Sequence, residues 1–520
     1  MERWEAALII FVAGLLFLLV KIIHAFFFSS LRHVPGPFLA KITGLLVGFY
    51  DVRLQRNRKI YEWHQKYGNI VLIAPGQVSV SSLSSTREIY SISGRHPKST
   101  YFDHFSVFGA RCIFTTRGCR EHQKMRKRTF QLYQPKSIYR PEIVEPIREL
   151  ARDVVQQLSA PIKNSNEGEA TLNIWTQCNR YSFDNSTRLA LGPDHCSRLT
   201  RGASDESWML DRWEETELWD NMAANLPLVH SFIRHIYRGL TGDRNFLSND
   251  ERLEKWTTQQ LHLALKETDI ITKHCLLGWL LEAKGEEGKG LSVNEIGEEI
   301  MDNILAAMAT VTLALTFSLW DLACHPALQH ALREELRRLP TSSQDGLPTF
   351  ESIMDCEMLD SCIRESSRIH PLSSGHAERL VPMEKPYDGV ILPVGVNISA
   401  STLALHHNAE VFDDPFAYRP GRWMQADLAH RSLMDKHYIP FGYGARFCLG
   451  STFALVQIKT LVAFVVLHLH LRQDPGSKTS RNSMNQLDTQ NALPRGLRCD
   501  VAIREITTWS TLSTKKAVVD

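Results

Sequence analysis

The reading of the fold turns on FGYGARFCLG, Phe441 to Gly450. The chain carries ten cysteines, and Cys448 is the one held inside a glycine-rich run. Gly444 precedes it, Gly450 follows it, and Arg446 lies two residues ahead. A cysteine used as a thiolate ligand needs shelter from protons, and nearby backbone N–H groups to tune the charge on sulfur. Glycines permit a tight turn and let backbone approach a flat group closely. The apolar run Ser451 to Leu471 begins at once, as a helix or a helix followed by a strand. The positive end of such a helix would face the sulfur. A structural cysteine beside a glycine turn is the plainer alternative, and for an isolated cysteine it would be preferred.

The full pattern is F-x-x-G-x-R-x-C-x-G, with five fixed positions in ten. It resembles the haem-binding loop of the cytochrome P450 superfamily. The resemblance implies haem b, with Cys448 as axial thiolate ligand of the iron and Arg446 on a haem propionate. Phe441 would pack near the sulfur, and Gly450 would let the backbone approach the haem. Other family marks lie upstream. ESSR holds Glu365 and Arg368 at i, i+3 on one helical face, and IHP follows. YRPGRW supplies Arg422. By the resemblance these three form a buried ionic triad that braces the cysteine loop. REHQKMRKRTF puts His122 and Arg126 at the W/H-x-x-x-R positions, and HPLSSGHAER supplies Arg379. The resemblance makes all three propionate partners, because arginine pairs strongly with carboxylate. Lys124, Lys127 and Arg128 read as a solvated helix face.

One helix departs from the family. The expected pattern is A/G-G-x-D/E-T-T/S, yet counting back from His325-Pro326 the chain reads AAMATV, Ala306 to Val311. Thr310 aligns with the threonine that helps deliver protons during oxygen activation. Its hydroxyl can also bond the carbonyl one turn back. Ala307 replaces the usual glycine and Ala309 the usual acid, so Ala309 and Thr310 are where distinctive chemistry is expected. Proton delivery then needs water, a substrate hydroxyl or a side chain from elsewhere.

Outward from these motifs the chain reads as mainly α with small β-sheets (α+β), the cytochrome P450 fold. Val71 to Val80 alternates and turns at Pro75-Gly76, as a hairpin does. Helical periodicity dominates from about Ser84 to Leu339, and a long apolar helix is expected from Asn294 to Cys324. PYDGVILPVGVNISAST returns to β character; RWMQADLAH reads as irregular and Gly476 to Pro494 as a polar surface loop. The family's substrate pocket maps to residues 99–114, 208–237, 304–310 and 372–376. Phe102, Phe105, Phe108 and Phe114 suggest a small apolar substrate, or equally core packing.

At the N-terminus Ala6 to Phe28 is 23 residues with Lys21 as its one Lys, Arg, Asp or Glu. That is about 35 Å of helix, enough for a hydrocarbon core of about 30 Å. A cleaved signal peptide is the alternative, but the stretch is long and no small-x-small site follows. Residues 1–30 therefore read as a membrane anchor, 31–45 as a proline-rich elbow and 46–520 as the catalytic domain. Lys21 lies near the C-terminal end of the span and Arg32 and Lys41 follow it, which puts the body on the cytosolic side. The scattered cysteines contain no CxxC pair, in keeping with a reducing compartment. A single-pass protein of the endoplasmic reticulum membrane is expected. The net charge of +2 gives no sign of a nucleic-acid partner.

The resemblance extends to microsomal enzymes of filamentous fungi, through VPGPFLAKITG and FDNSTRLALG, and many of these serve secondary metabolism. It implies a monooxygenase. Only 72 residues follow Cys448, so electrons are expected from NADPH–cytochrome P450 reductase, with cytochrome b5 as a second donor. Lys436, His437 and Lys459 are candidate docking charges. The rival readings are a haem-thiolate isomerase or dehydratase that does not use oxygen, and a non-enzymatic membrane-bound haem binder. Asn185 and Asn397 head glycosylation sequons, which a cytosolic body would leave unused.

Overall fold

The computed structural model describes residues 2–202, 208–210, 212–266, 274–285, 288–343, 346–372 and 377–506. Helices dominate, and nine short strands join them. These are β1 (Ile70–Ala74), β2 (Gln77–Val80), β3 (Glu169–Asn173), β4 (Arg379–Leu380), β5 (Lys385–Tyr387), β6 (Val390–Leu392), β7 (Asn397–Ala400), β8 (Leu469–Arg472) and β9 (Asp500–Glu505). They form sheets of order β1-β2-β7-β4, β3-β9-β8 and β5-β6. The expected hairpin is β1–β2, antiparallel, with Gly76 in the left-handed region at φ +76°. β1 is buried along its whole length because it serves two cores. Its period of two sends Ile70 and Leu72 toward Ile398 and Ala400, and Val71 and Ile73 toward Ile60 and Trp63.

The long helix runs from Val293 to Cys324. Ser292 and Glu295 form a capping box at its start, and His325 with Pro326 ends it. Every side chain from Val311 to Ala323 is buried, so the amphipathic rule gives way to an all-round apolar helix. It packs against the helices Ile174–Leu191, Glu357–Ile369 and Ser451–His468. Among the described residues three helices are long and apolar enough to cross a membrane. Two of them, this one and Ser451–His468, are 67% and 72% buried inside the protein over their most apolar stretch. The third, Trp4–Phe28, is unburied over that stretch. The helix does not stop near Ile23 but continues through a π-turn, His24–Phe28.

The proline elbow is docked as well as stiff. Pro35 accepts the Leu72 N–H at 2.7 Å, and a side chain at Gly36 would strike the Leu72 carbonyl at 2.4 Å.

Two local expectations are corrected. RWMQADLAH is largely helical: Gly421–Gln425, then Leu428–His437, which Asp427 caps by accepting the His430 N–H. Gly476 to Pro494 is not a plain surface loop. Asp488 accepts the N–H of Asn57 at 2.7 Å, and Met484, Ala492 and Leu493 are buried. Its polar residues satisfy backbone elsewhere in the fold rather than water, which composition cannot distinguish. The two sequons are occupied structurally. Asn185 is buried and donates to the Tyr181 carbonyl, and Asn397 lies in β7 and donates to Glu378.

Candidate active site

A cavity of about 670 Å³ lies between the Cys448 loop and the long helix. The loop is shaped by its glycines. Gly442 and Gly444 sit at φ +74° and +67°, and a side chain at Gly444 would meet the Tyr90 carbonyl at 2.2 Å. The Cys448 N–H donates to the Phe441 carbonyl at 2.8 Å, closing the loop on itself. Cys448 is accessible, but the surface it presents is the cavity wall rather than the exterior. Burial pushes its thiol up; the Gly450 N–H and the Arg126 charge pull the other way, toward thiolate. The helix Ser451–His468 starts just beyond, with Gly450 at its N-cap.

Basic groups gather at this end. Arg446, Arg379, Arg126, Lys98 and His122 all line the cavity. Burial depresses Arg446, and the nearby Arg379 depresses it further. Burial, then Arg446, Lys98, Arg126 and Arg379, lower His122 to about 3, so its imidazole is neutral. Backbone carbonyls hold the arginines: Arg446 donates to Thr116 and Arg117 at 2.8 and 2.7 Å, Arg379 to Glu378, and Arg126 to Phe447 at 2.8 Å. Among the described residues none of these three arginines is paired with a carboxylate side chain. One buried and two half-buried like charges so arranged call for anions. A side chain built at Gly450 would meet nothing within 4 Å, so open space lies beside the loop. A planar group with two carboxylates and a thiolate-binding metal fits these residues.

The long helix forms the opposite wall with Asp302, Ala306, Ala307, Thr310 and Val311. The Thr310 hydroxyl donates to the Ala306 carbonyl at 2.7 Å, as the sequence suggested. Ala309 is packed in the core rather than lining the cavity. At 100° per residue, neighbours on a helix face different ways. Above, Phe102, Phe105 and Phe114 meet edge to face and line the cavity. Phe108 does not; it presses on Gly297, where a side chain would come within 2.8 Å of its ring. Residues 208–237 contribute Trp213, Thr216, Glu217 and His230, and Leu372 lines the wall too. Residues 373–376 lie outside the described residues.

The triad is present and larger than three. Glu365 accepts from Arg368 at 2.9 and 3.0 Å, from Arg422 at 2.9 Å, and also from the Trp423 indole at 2.9 Å and the Arg419 N–H at 3.1 Å. The docking charges are corrected: Lys459 is buried on Asp360 and His437 is buried, leaving Lys436 exposed. Sequence reasoning missed Lys98 and Asp302. Lys98 carries no local signal. Asp302 stands at i−8 from Thr310, with Ala306 midway, and that helical spacing was legible.

The family model for cytochrome P450 matches residues 34–494. Cytochrome P450 monooxygenase FGM1 of Gibberella zeae is 34% identical over 94% of this chain and 95% of its own. Cytochrome P450 monooxygenase AKT7 of Alternaria alternata is 26% identical over 88% and 87%. Pisatin demethylase of Fusarium vanettenii is 24% identical over 89% and 88%. Among solved structures, retinoic acid-bound cyanobacterial CYP120A1 superposes with a TM-score of 0.70 at 18% identity, over 91% of this chain and 99% of that one. That likeness concerns the fold.

Proposed function

From the premise that the chain belongs to the cytochrome P450 family and is a P450 monooxygenase, we propose that it oxidises a small, largely apolar organic molecule held between Cys448 and Thr310. The observation that carries this reading is one cavity in which Cys448, unpaired arginines and Thr310 converge. The family's haem has a cysteine thiolate as axial ligand, and when bound it supplies oxygen activation, the thiolate favouring O–O cleavage. Cys448 is the thiolate in this proposal. The Gly450 N–H steadies its charge, and the Phe441 carbonyl fixes its backbone. Arg446, Arg379, Arg126 and neutral His122 receive the propionates. Thr310 presents its hydroxyl oxygen at the cavity face, and donation of its proton to the Ala306 carbonyl keeps that oxygen oriented. Phe102, Phe105 and Phe114 exclude water from the upper chamber.

Electrons come from NADPH–cytochrome P450 reductase, with cytochrome b5 as a second donor. Arg120, Lys124 and Lys127 support this: they are exposed on the helix Cys119–Thr129, whose Arg126 touches the cysteine loop. The exposed Trp4–Phe28 helix seats the protein in the endoplasmic reticulum membrane as a single span, catalytic body cytosolic. We assign the reaction to fungal secondary metabolism, a reading that the similarity to fungal P450 monooxygenases supports.

The test is Cys448→Ser. Reduced wild-type protein should show the red-shifted carbon-monoxide Soret band and the variant should lose it. A variant that keeps the band rejects Cys448 as ligand. Expression with a reductase in a host fed candidate metabolites should then yield products heavier by one oxygen atom.

A further inference from the structure

The two ends of the cavity differ in charge. Arg446, Arg379, Arg126 and His122 cluster around the Cys448 loop, the far wall carries Glu217, Asp220, Glu298 and Asp302, and Lys98 lies between them. The arginine at that end, Arg234, is paired with Glu251 at 3.2 Å. Three carboxylates sit on one turn of the long helix, and two are spent on holding a loop. Glu298 accepts the N–H groups of Val107 and Phe108 at 3.0 and 2.6 Å, and Glu299 accepts that of Ile113 at 3.0 Å. Asp302 takes no such donor. Among the described residues its hydrogen-bond partner is the Cys112 thiol, a weak donor.

Lys98 is nearby but already engaged. Its Nζ donates to the Phe114 carbonyl and lies over the rings of Phe102 and Phe114, 3.9 and 4.2 Å from their centroids, while burial, with Arg379 and Arg446, holds it well below the usual lysine range. Asp302 is therefore an under-satisfied acid in the wall of the substrate chamber, on the same helix as Thr310. Eight residues separate them, or about 12 Å along the axis.

We propose that Asp302 determines specificity by pairing with a positively charged nitrogen on the substrate, so that the enzyme takes molecules with an apolar body and one aminium group about two helical turns from the oxidised carbon. The inference rests on the monooxygenase reading of the Cys448–Thr310 cavity. The physical basis is desolvation. Burial raises Asp302 to about 7; Glu298 adds to this, while Lys98 and the Cys112 thiol oppose it. Tyr133 and Glu299 also face it. A cation entering the chamber restores the carboxylate, and a neutral ligand cannot.

The test uses full-length holoenzyme and two probes of one shape. These are hexyltrimethylammonium, which has no lone pair for iron, and its neutral isostere with a tert-butyl end. Binding is followed by the spin-state shift of the Soret band. Wild type should bind the ammonium at least about tenfold tighter than the isostere. Asp302→Asn should lose about tenfold on the ammonium and stay within about twofold on the isostere, while Asp302→Glu keeps the preference. The ammonium's charge is fixed, so its affinity should rise across about pH 6 to 8 in wild type and stay flat in Asp302→Asn. A wild type without preference, or an Asn variant that loses both probes equally, overturns the inference. The wild-type comparison decides even if the variant does not fold. If wild type itself lacks the carbon-monoxide band, the monooxygenase reading fails and takes the inference with it. An intact band without charge preference sinks the inference alone.

Discussion

Thr310 shows how much one residue must carry when its neighbour is not an acid. Its hydroxyl is committed to the Ala306 carbonyl, and Ala309 offers no proton. Thr310→Ala should therefore lower product formed per NADPH by about tenfold or more, within the range of general acid–base effects. NADPH consumption should fall less. Comparing the two rates checks this, and equal losses would argue against a proton role. Glu299 gives a pH prediction. Burial, aided by Asp302, raises it from the ordinary 4.5 to about 8. Between those values the folded state holds a proton that the unfolded state has lost, so stability falls as pH rises. Urea unfolding of wild type should weaken relative to Glu299→Gln from about pH 5 to pH 8. Cys448 and Arg446 were legible because their motif is local. Asp302 and Lys98 were not singled out, because their meaning depends on where the loop of residues 98–114 folds.

At the level of elements, the brace behind the cysteine loop is a single carboxylate with five donors. The helix Glu357–Ile369 supplies Glu365 and Arg368, and the segment around Arg422 supplies the rest. The spacing of ESSR pointed to the first pair. It could not reveal the Trp423 indole or the Arg419 N–H, which arrive by tertiary packing. Glu365→Gln leaves two buried guanidinium groups without their counter-charge. It should cost about 3–5 kcal/mol in urea unfolding and reduce haem incorporation. Unchanged stability would mean that the network is dispensable. The long helix teaches a similar lesson. Its length and ends were readable from His325-Pro326 and the apolar run. Which residues face the cavity was decided by the helices that surround it on every other side.

At the scale of the molecule, three helices among the described residues are long and apolar enough to cross a membrane, and one of them has no protein around its most apolar stretch. Deleting residues 1–21 should release most of the protein from membranes while changing stability by less than about 1 kcal/mol, since the most apolar stretch of that helix is unburied. Sedimentation with microsomes and thermal unfolding check both halves. Exposed apolar residues on Pro227–Thr241, among them Leu228, Phe232 and Leu240, would account for any residual binding. The sequence by itself determined the cysteine loop, the helical class, the hairpin and the apolar N-terminal helix, because each depends on residues close together in the chain. The tertiary structure alone decided that Lys459 and His437 are buried, that Asn185 and Asn397 are spent on the fold, and that Gly476 to Pro494 turns inward. It also decided that the cavity is basic at one end and acidic at the other. Charges separated by hundreds of residues share one cavity only after the chain has closed around it, and no local pattern records that meeting.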